Sequence, residues 1–90
     1  MRLRARIDAN QQTITQDARH CGFQVHLLHQ IGKGFPDSIW CKAGSMWLIE
    51  FKMPKGKLTP DQARFHAEWQ GPPIIIGTSF EEIYEKIKKV

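Results

Sequence analysis

Asp37, Glu50 and Lys52 are the residues of this chain whose types and spacing are best suited to chemistry. Met46 to Lys52 reads as a strand, with Trp47, Ile49 and Phe51 on an apolar face. Glu50 and Lys52 are two apart on that strand and project to the opposite face, with Met46 and Leu48. Phe35 to Cys41 reads as a preceding strand, and Lys42-Ala43-Gly44-Ser45 as the tight turn between the two. A turn centred between Ala43 and Gly44 sets Asp37 directly across from Glu50. Opposed residues on one sheet face have Cβ atoms ~4.5–5.5 Å apart. A slip of one residue would send Asp37 to the other face.

Two carboxylates that close repel, and in a half-buried site one is driven to take up a proton. A hard divalent cation such as Mg²⁺ removes the conflict, since it prefers oxygen ligands and accepts one or two carboxylates plus waters and phosphate oxygens. Such a cation lowers the pKa of bound water and polarises a phosphate oxygen. Lys52 beside it can hold the attacking water or stabilise charge on the phosphate. The combination fits hydrolysis of a phosphodiester.

The elements that must position these residues alternate. Residues ~8–21 read as a helix, with Ile7, Ile14, Ala18 and Cys21 on one face and Gly22 as its stop. Phe23 to Leu28 reads as a strand, and Ile31 to Phe35, with Gly32 and Gly34, as a flexible connection. Pro54 ends the Glu50 strand, and Lys55-Gly56-Lys57 is an exposed basic loop. Thr59 and Pro60 open a helix, as N-cap and first-turn proline, that runs to about Gln70. Ile74-Ile75-Ile76 is a short buried strand. Ser79 caps the last helix, with Glu82 completing a capping box and Phe80, Ile83, Tyr84 and Ile87 as its buried stripe. The expected fold is α/β in the order α-β-β-β-α-β-α, a small mixed sheet of about four strands flanked by helices, in one domain spanning 1–90.

Composition sets the frame. Hydrophobic residues make up 41% and charged residues 24%, ordinary for a soluble globular chain. No run approaches the ~20 apolar residues of a membrane span, and the basic start Met1-Arg2-Leu3-Arg4-Ala5-Arg6 lacks the apolar stretch of a signal peptide. A cytoplasmic location is expected. Cys21 and Cys41 are too few for a disulfide framework and read as reduced, largely buried thiols. The net charge of +4 and pI near 9.3 favour a polyanionic partner.

Gly34-Phe35-Pro36-Asp37, then Glu50-Phe51-Lys52, then Thr59-Pro60-Asp61-Gln62 at a helix start resemble the PD-(D/E)xK nuclease signature, and within it the virus-type replication-repair nuclease (VRR-NUC) family. Asp8-Ala9-Asn10-Gln11 before the first helix and His66-Ala67-Glu68-Trp69 in the second are similar to its small stand-alone phage members. The resemblance covers nearly the whole chain. It implies a restriction-endonuclease-like core and a Mg²⁺- or Mn²⁺-dependent endonuclease, in the cytoplasm of the host cell if phage-encoded. It further implies a homodimer that cuts branched DNA such as four-way (Holliday) junctions. Asp37 and Glu50 would bind the metal with the Phe51 carbonyl, Lys52 would act on the water and the scissile phosphate, and Gln62 would orient either. Family members often add an acidic residue from the first helix; here that region offers Asp8, Asn10 and Gln11 but no glutamate.

Plainer readings stand beside these. Glu50 and Lys52 can form a surface ion pair of little worth, and Asp37 can simply follow Pro36 in a turn. Gln62 is also the N3 residue of a capping box on Thr59; the two roles exclude each other only if its side chain faces away from the site. His20, His26, His29 and His66 match no compact zinc motif and read as scattered surface or half-buried residues, with phosphate contact near the site as the alternative for His26 and His29. Trp40, Trp47 and Trp69 read as core or dimer contacts. Lys55 and Lys57, with Lys33 in the glycine-flanked connection, are either solvated loop residues or contacts to the DNA backbone. As a whole, the chain could alternatively be a DNA-binding module that kept the nuclease fold without its activity.

Overall fold

The computed structural model describes the backbone of residues 2–90 and the side chains from residue 10 onward. Helix α1 spans Arg2–His20 and starts earlier than the spacing predicts. Leu3, Arg4 and Ala5 are strong helix formers and no glycine or proline interrupts them. Asp8, Ala9, Asn10 and Gln11 therefore lie inside the helix and not before it. Gly22 ends the helix at φ +94°, with Gly22 N–H bonded to Arg19 O and Phe23 N–H to Ala18 O. These are the two bonds of a Schellman motif. Lys42 adds a hydrogen bond to the Cys21 carbonyl at 2.6 Å and lies over the Phe23 ring.

Strands β1 (Gln24–Leu27), β2 (Ser38–Lys42) and β3 (Ser45–Phe51) form an antiparallel meander. Helix α2 (Pro60–Glu68) then crosses to β4 (Ile75–Gly77), which pairs parallel with β3, and α3 (Phe80–Lys88) follows. The sheet order is β1-β2-β3-β4. The expected order and mixed sheet of four strands are thus what the chain forms. The β2–β3 turn is centred on Ala43-Gly44, both at positive φ, as a two-residue hairpin turn requires. Its register pairs Ser38 with Ile49 and Trp40 with Trp47, so Asp37 continues it opposite Glu50. β2 begins at Ser38 and not at Phe35, because the segment before it departs from the sheet at Pro36, which has no N–H to give.

α1 and α3 cover one face of the sheet. Ile14 and Ala18 from α1, and Ile83 and Ile87 from α3, close on Phe23, Trp40, Ile49, Phe51 and Ile75. Phe23 sits 5.2 Å from Trp40 and within edge contact of Trp47, Phe80 and Tyr84. Trp40 is therefore core, and Trp47 packs against it. Tyr84 of the expected buried stripe stays exposed. Cys21 is also exposed and Cys41 half-buried; both are free thiols. Cys21 falls beyond the last helical turn, and Cys41 lies on the sheet face away from α1 and α3.

The cap of α3 differs in detail from expectation. Ser79 accepts the Glu82 N–H, but the Glu82 carboxylate turns back to Thr78, taking its N–H at 2.7 Å and its hydroxyl at 3.0 Å. The Thr78 N–H chiefly holds this carboxyl below its ordinary pKa. No helix among the described residues is long and apolar enough to cross a membrane.

Candidate active site

The second sheet face carries Leu48 and Glu50 and is met by α2, a helix with no fully buried residue of its own. Its docking depends on the loop before β2. Gly34 stands at φ +82°, and a Cβ there would collide with the Asp61 carbonyl and come within 2.9 Å of the Gln62 nitrogen. Only glycine lets the loop backbone press so closely on the start of α2. The Phe35 ring meets Phe65 edge-on at 5.0 Å, and Phe65 stacks on Trp69 at 5.4 Å. Pro36 is fully buried. Asp37 follows directly, and its Oδ2 accepts the Phe51 N–H at 2.8 Å. The carboxylate is thereby pinned against β3.

Glu50 is wholly buried, at 0% exposure. Burial, and next the facing Asp37 carboxyl, push its pKa up to about 9, with Lys52 pulling weakly the other way. This is the conflict that two opposed carboxylates must create in a dry site. Glu50 Oε2 accepts a hydrogen bond from Gln62 Nε2 at 2.7 Å, while Oε1 has no partner.

Gln62 joins the two ends of the site. Its Oε1 accepts from Lys52 Nζ at 2.7 Å and from the Thr59 N–H at 2.9 Å, and its own N–H donates to Thr59 Oγ1. The capping box and the site contact therefore coexist. The amide is fixed in one orientation, because a flip would set its NH₂ against two donors. Lys52 and Glu50 share a face but do not form a surface ion pair: one is buried and the Gln62 amide lies between them.

His66 is four residues after Gln62, on the same side of α2. Its Nε2 lies 3.7 Å from Glu50 Oε1, too far for a hydrogen bond. Both atoms are buried and without a partner. Burial, and then the Lys52 charge, hold the imidazole pKa below its ordinary value. By sequence pattern His66 groups with His20, His26 and His29, which are exposed; the i+4 spacing from Gln62 is the signal that sets it apart.

The other expected site residues fall as follows. Lys33, Lys55 and Lys57 are exposed on the two loops that lead into Asp37 and out of Lys52. Lys33 and Lys55 both adopt positive φ. Gln11 is buried on α1, and among the described residues neither it nor Asn10 hydrogen-bonds to Asp37, Glu50, Lys52 or Gln62. The Asp8 side chain lies outside the described residues. Among the described residues no three His, Cys, Asp or Glu side chains converge as metal ligands. A cation at Glu50 would thus be held by two carboxylates, backbone and water. An all-oxygen set of that kind fits a hard divalent ion, and Glu50 Oε1 is a buried oxygen without a hydrogen-bond partner.

No family model matches the sequence, and neither does any curated protein. A solved structure described as a VRR_NUC domain does match, with a TM-score of 0.72 and 23% identity over 91% of this chain and 94% of that one. The chain has the fold of a VRR_NUC domain.

Proposed function

We propose that this chain is a Mg²⁺- or Mn²⁺-dependent endonuclease that hydrolyses phosphodiester bonds in DNA. The observation that carries the reading is the linked set of Asp37, Glu50, Gln62 and Lys52, in which a buried carboxylate, the half-buried one opposite it and a tethered ammonium share one face. Asp37 and Glu50, with the Phe51 carbonyl, would hold the cation. When bound, such an ion supplies Lewis acidity and a water of lowered pKa.

The chain's own groups do the remaining work. The Phe51 N–H fixes the Asp37 carboxylate, and the Gln62 amide fixes Glu50 and Lys52 relative to each other. Lys52 spends one of its three N–H donors on Gln62 and has two left for a water or a phosphate oxygen. In hydrolysis a water oxygen bonds to phosphorus, one P–O ester bond breaks, the water loses a proton, and the departing oxygen gains one. Lys52 donates to the oxygen on which charge grows, where a fixed donor in a dry site is most effective. Lys33, Lys55 and Lys57 contact the DNA backbone, which positions the strand without reading its sequence.

Two further elements rest on resemblance to small stand-alone VRR-NUC proteins: a homodimer acting on branched DNA such as four-way junctions, and a cytoplasmic location, that of the host if the chain is phage-encoded. A twofold dimer would set one site on each strand of a symmetric target. The test is incubation of the purified protein with labelled four-way junction and linear duplex, first with Mg²⁺ or Mn²⁺ and then with EDTA. Metal-dependent cutting, faster on the junction, is the expected result. Binding without cutting would instead make the chain a DNA-binding module.

A further inference from the structure

Glu50 Oε1 and His66 Nε2 are buried polar atoms with no hydrogen-bond partner, 3.7 Å apart. Buried polar groups nearly always have partners, so an orphan facing an orphan marks a place where something else binds. The separation excludes a direct hydrogen bond. It falls within the roughly 3.0–4.2 Å that separates two atoms each about 2.1 Å from one cation. The pair is held from both sides: Gln62 anchors the other oxygen of Glu50, and α2 carries His66 one turn beyond Gln62. The side chain of His66 is only 16% exposed and that of Glu50 not at all.

We infer that His66 Nε2 and Glu50 Oε1 ligate a divalent cation between them, which puts one imidazole nitrogen into an otherwise oxygen site. This rests on the proposed nuclease site, shares Glu50 with it, and brings a nitrogen ligand and a metal preference. Only these two side chains converge on the ion from this side, so waters or phosphate oxygens fill the remaining positions, as Mg²⁺ and Mn²⁺ sites allow. Imidazole suits transition metals better than Mg²⁺, and affinity for nitrogen-bearing sites rises from Mn²⁺ along the first row. The site therefore prefers Mn²⁺ to Mg²⁺, and His66 is the cause.

The experiment is pulsed electron paramagnetic resonance of Mn²⁺ bound to the full chain, with binding isotherms for Mn²⁺ and Mg²⁺. The expected result is a nitrogen coupling of a directly bound imidazole that disappears in His66→Gln and His66→Asn. Their Mn²⁺ affinity should fall about tenfold or more, with little change for Mg²⁺. Circular dichroism checks that both variants fold. If neither does, the nitrogen coupling of the unaltered protein and its change on ¹⁵N labelling of histidine is the deciding readout. Mn²⁺ bound without nitrogen coupling, coupling that survives both substitutions, or coupling unaltered by ¹⁵N labelling of histidine would overturn the His66 ligand and leave the carboxylate site standing. Mn²⁺ binding that is absent, or unchanged in Asp37→Asn and Glu50→Gln, would overturn both.

Discussion

Gln62 shows how one side chain serves two ends at once. Its oxygen closes the cap of α2 and accepts Lys52, while its nitrogen holds Glu50. Gln62→Glu keeps the acceptor and removes the donor, so it should leave the helix cap and the fold intact. It places a third carboxylate beside Glu50, and cleavage should fall at least tenfold while the melting temperature moves little. Gln62→Ala removes every side-chain bond and strands the buried Glu50 Oε2, at a cost of about 1–3 kcal/mol, seen in both melting and cleavage. Equal damage from the two substitutions would reduce Gln62 to a cap. Glu50 adds a pH signature. Its carboxyl titrates near 9 in the folded chain but near 4.5 when unfolded. Between those values the folded state holds a proton that the unfolded state has released, so stability falls as pH rises. In EDTA the melting temperature should drop progressively from about pH 5 to 9, and Glu50→Gln should flatten that slope. Added Mg²⁺ should stabilise most at the alkaline end, because metal binding displaces the proton.

Among the elements, α2 is the one whose placement depends least on burial and most on specific contacts. It buries no residue fully, and the Gly34 approach, the Phe35–Phe65 contact and the Gln62 bonds fasten it. Gly34→Ala must place a Cβ into the Asp61 carbonyl at positive φ, where an L-residue already costs roughly 1–2 kcal/mol. Cleavage should therefore fall further than the loss of folded protein explains, because Asp37 and Gln62 part company before the α1–α3 core melts. Cleavage that tracks folded fraction alone would count against this. The same elements show what the sequence made legible. Alternation along β3 and the Ala43-Gly44 turn set the register that brings Asp37 opposite Glu50, since a two-residue hairpin leaves little choice. The long reach of α1 was hidden because Arg2 to Asp8 carries no cap, and Leu3 and Ile7 alone at helical spacing do not announce a start. Cys21 looked buried by periodicity and is exposed, because the helix ends just short of it. His66 is marked in the sequence by its i+4 spacing from Gln62 alone, because its partner, Glu50, is distant in sequence and meets it only through the docking of α2.

At the scale of the whole molecule, α1 and α3 build the core on one sheet face, and the candidate site lies on the other. The loops bearing Lys33 and Lys55–Lys57 flank it, so the net charge of +4 is spent partly where a phosphate backbone would approach. Each phosphate contact lowers log K by about 0.9 per decade of salt on duplex DNA. The Lys55→Gln/Lys57→Gln variant should lose up to about two such contacts, flattening the salt dependence of DNA binding by roughly 1–2 while Mn²⁺ affinity is unchanged. An unaltered slope would move the DNA path elsewhere.

The central claim is that Asp37, Glu50 and Lys52 form a metal-dependent phosphodiesterase, and single-turnover cleavage of a labelled four-way junction by the unaltered chain and by Lys52→Ala tests it most directly. The unaltered chain should cut in Mg²⁺ or Mn²⁺ and not in EDTA. Lys52→Ala should bind the junction and the metal with nearly unchanged affinity and fail to cut. An unaltered chain that never cuts, one that cuts equally well in EDTA, or a Lys52→Ala variant that cuts at the full rate would contradict the claim.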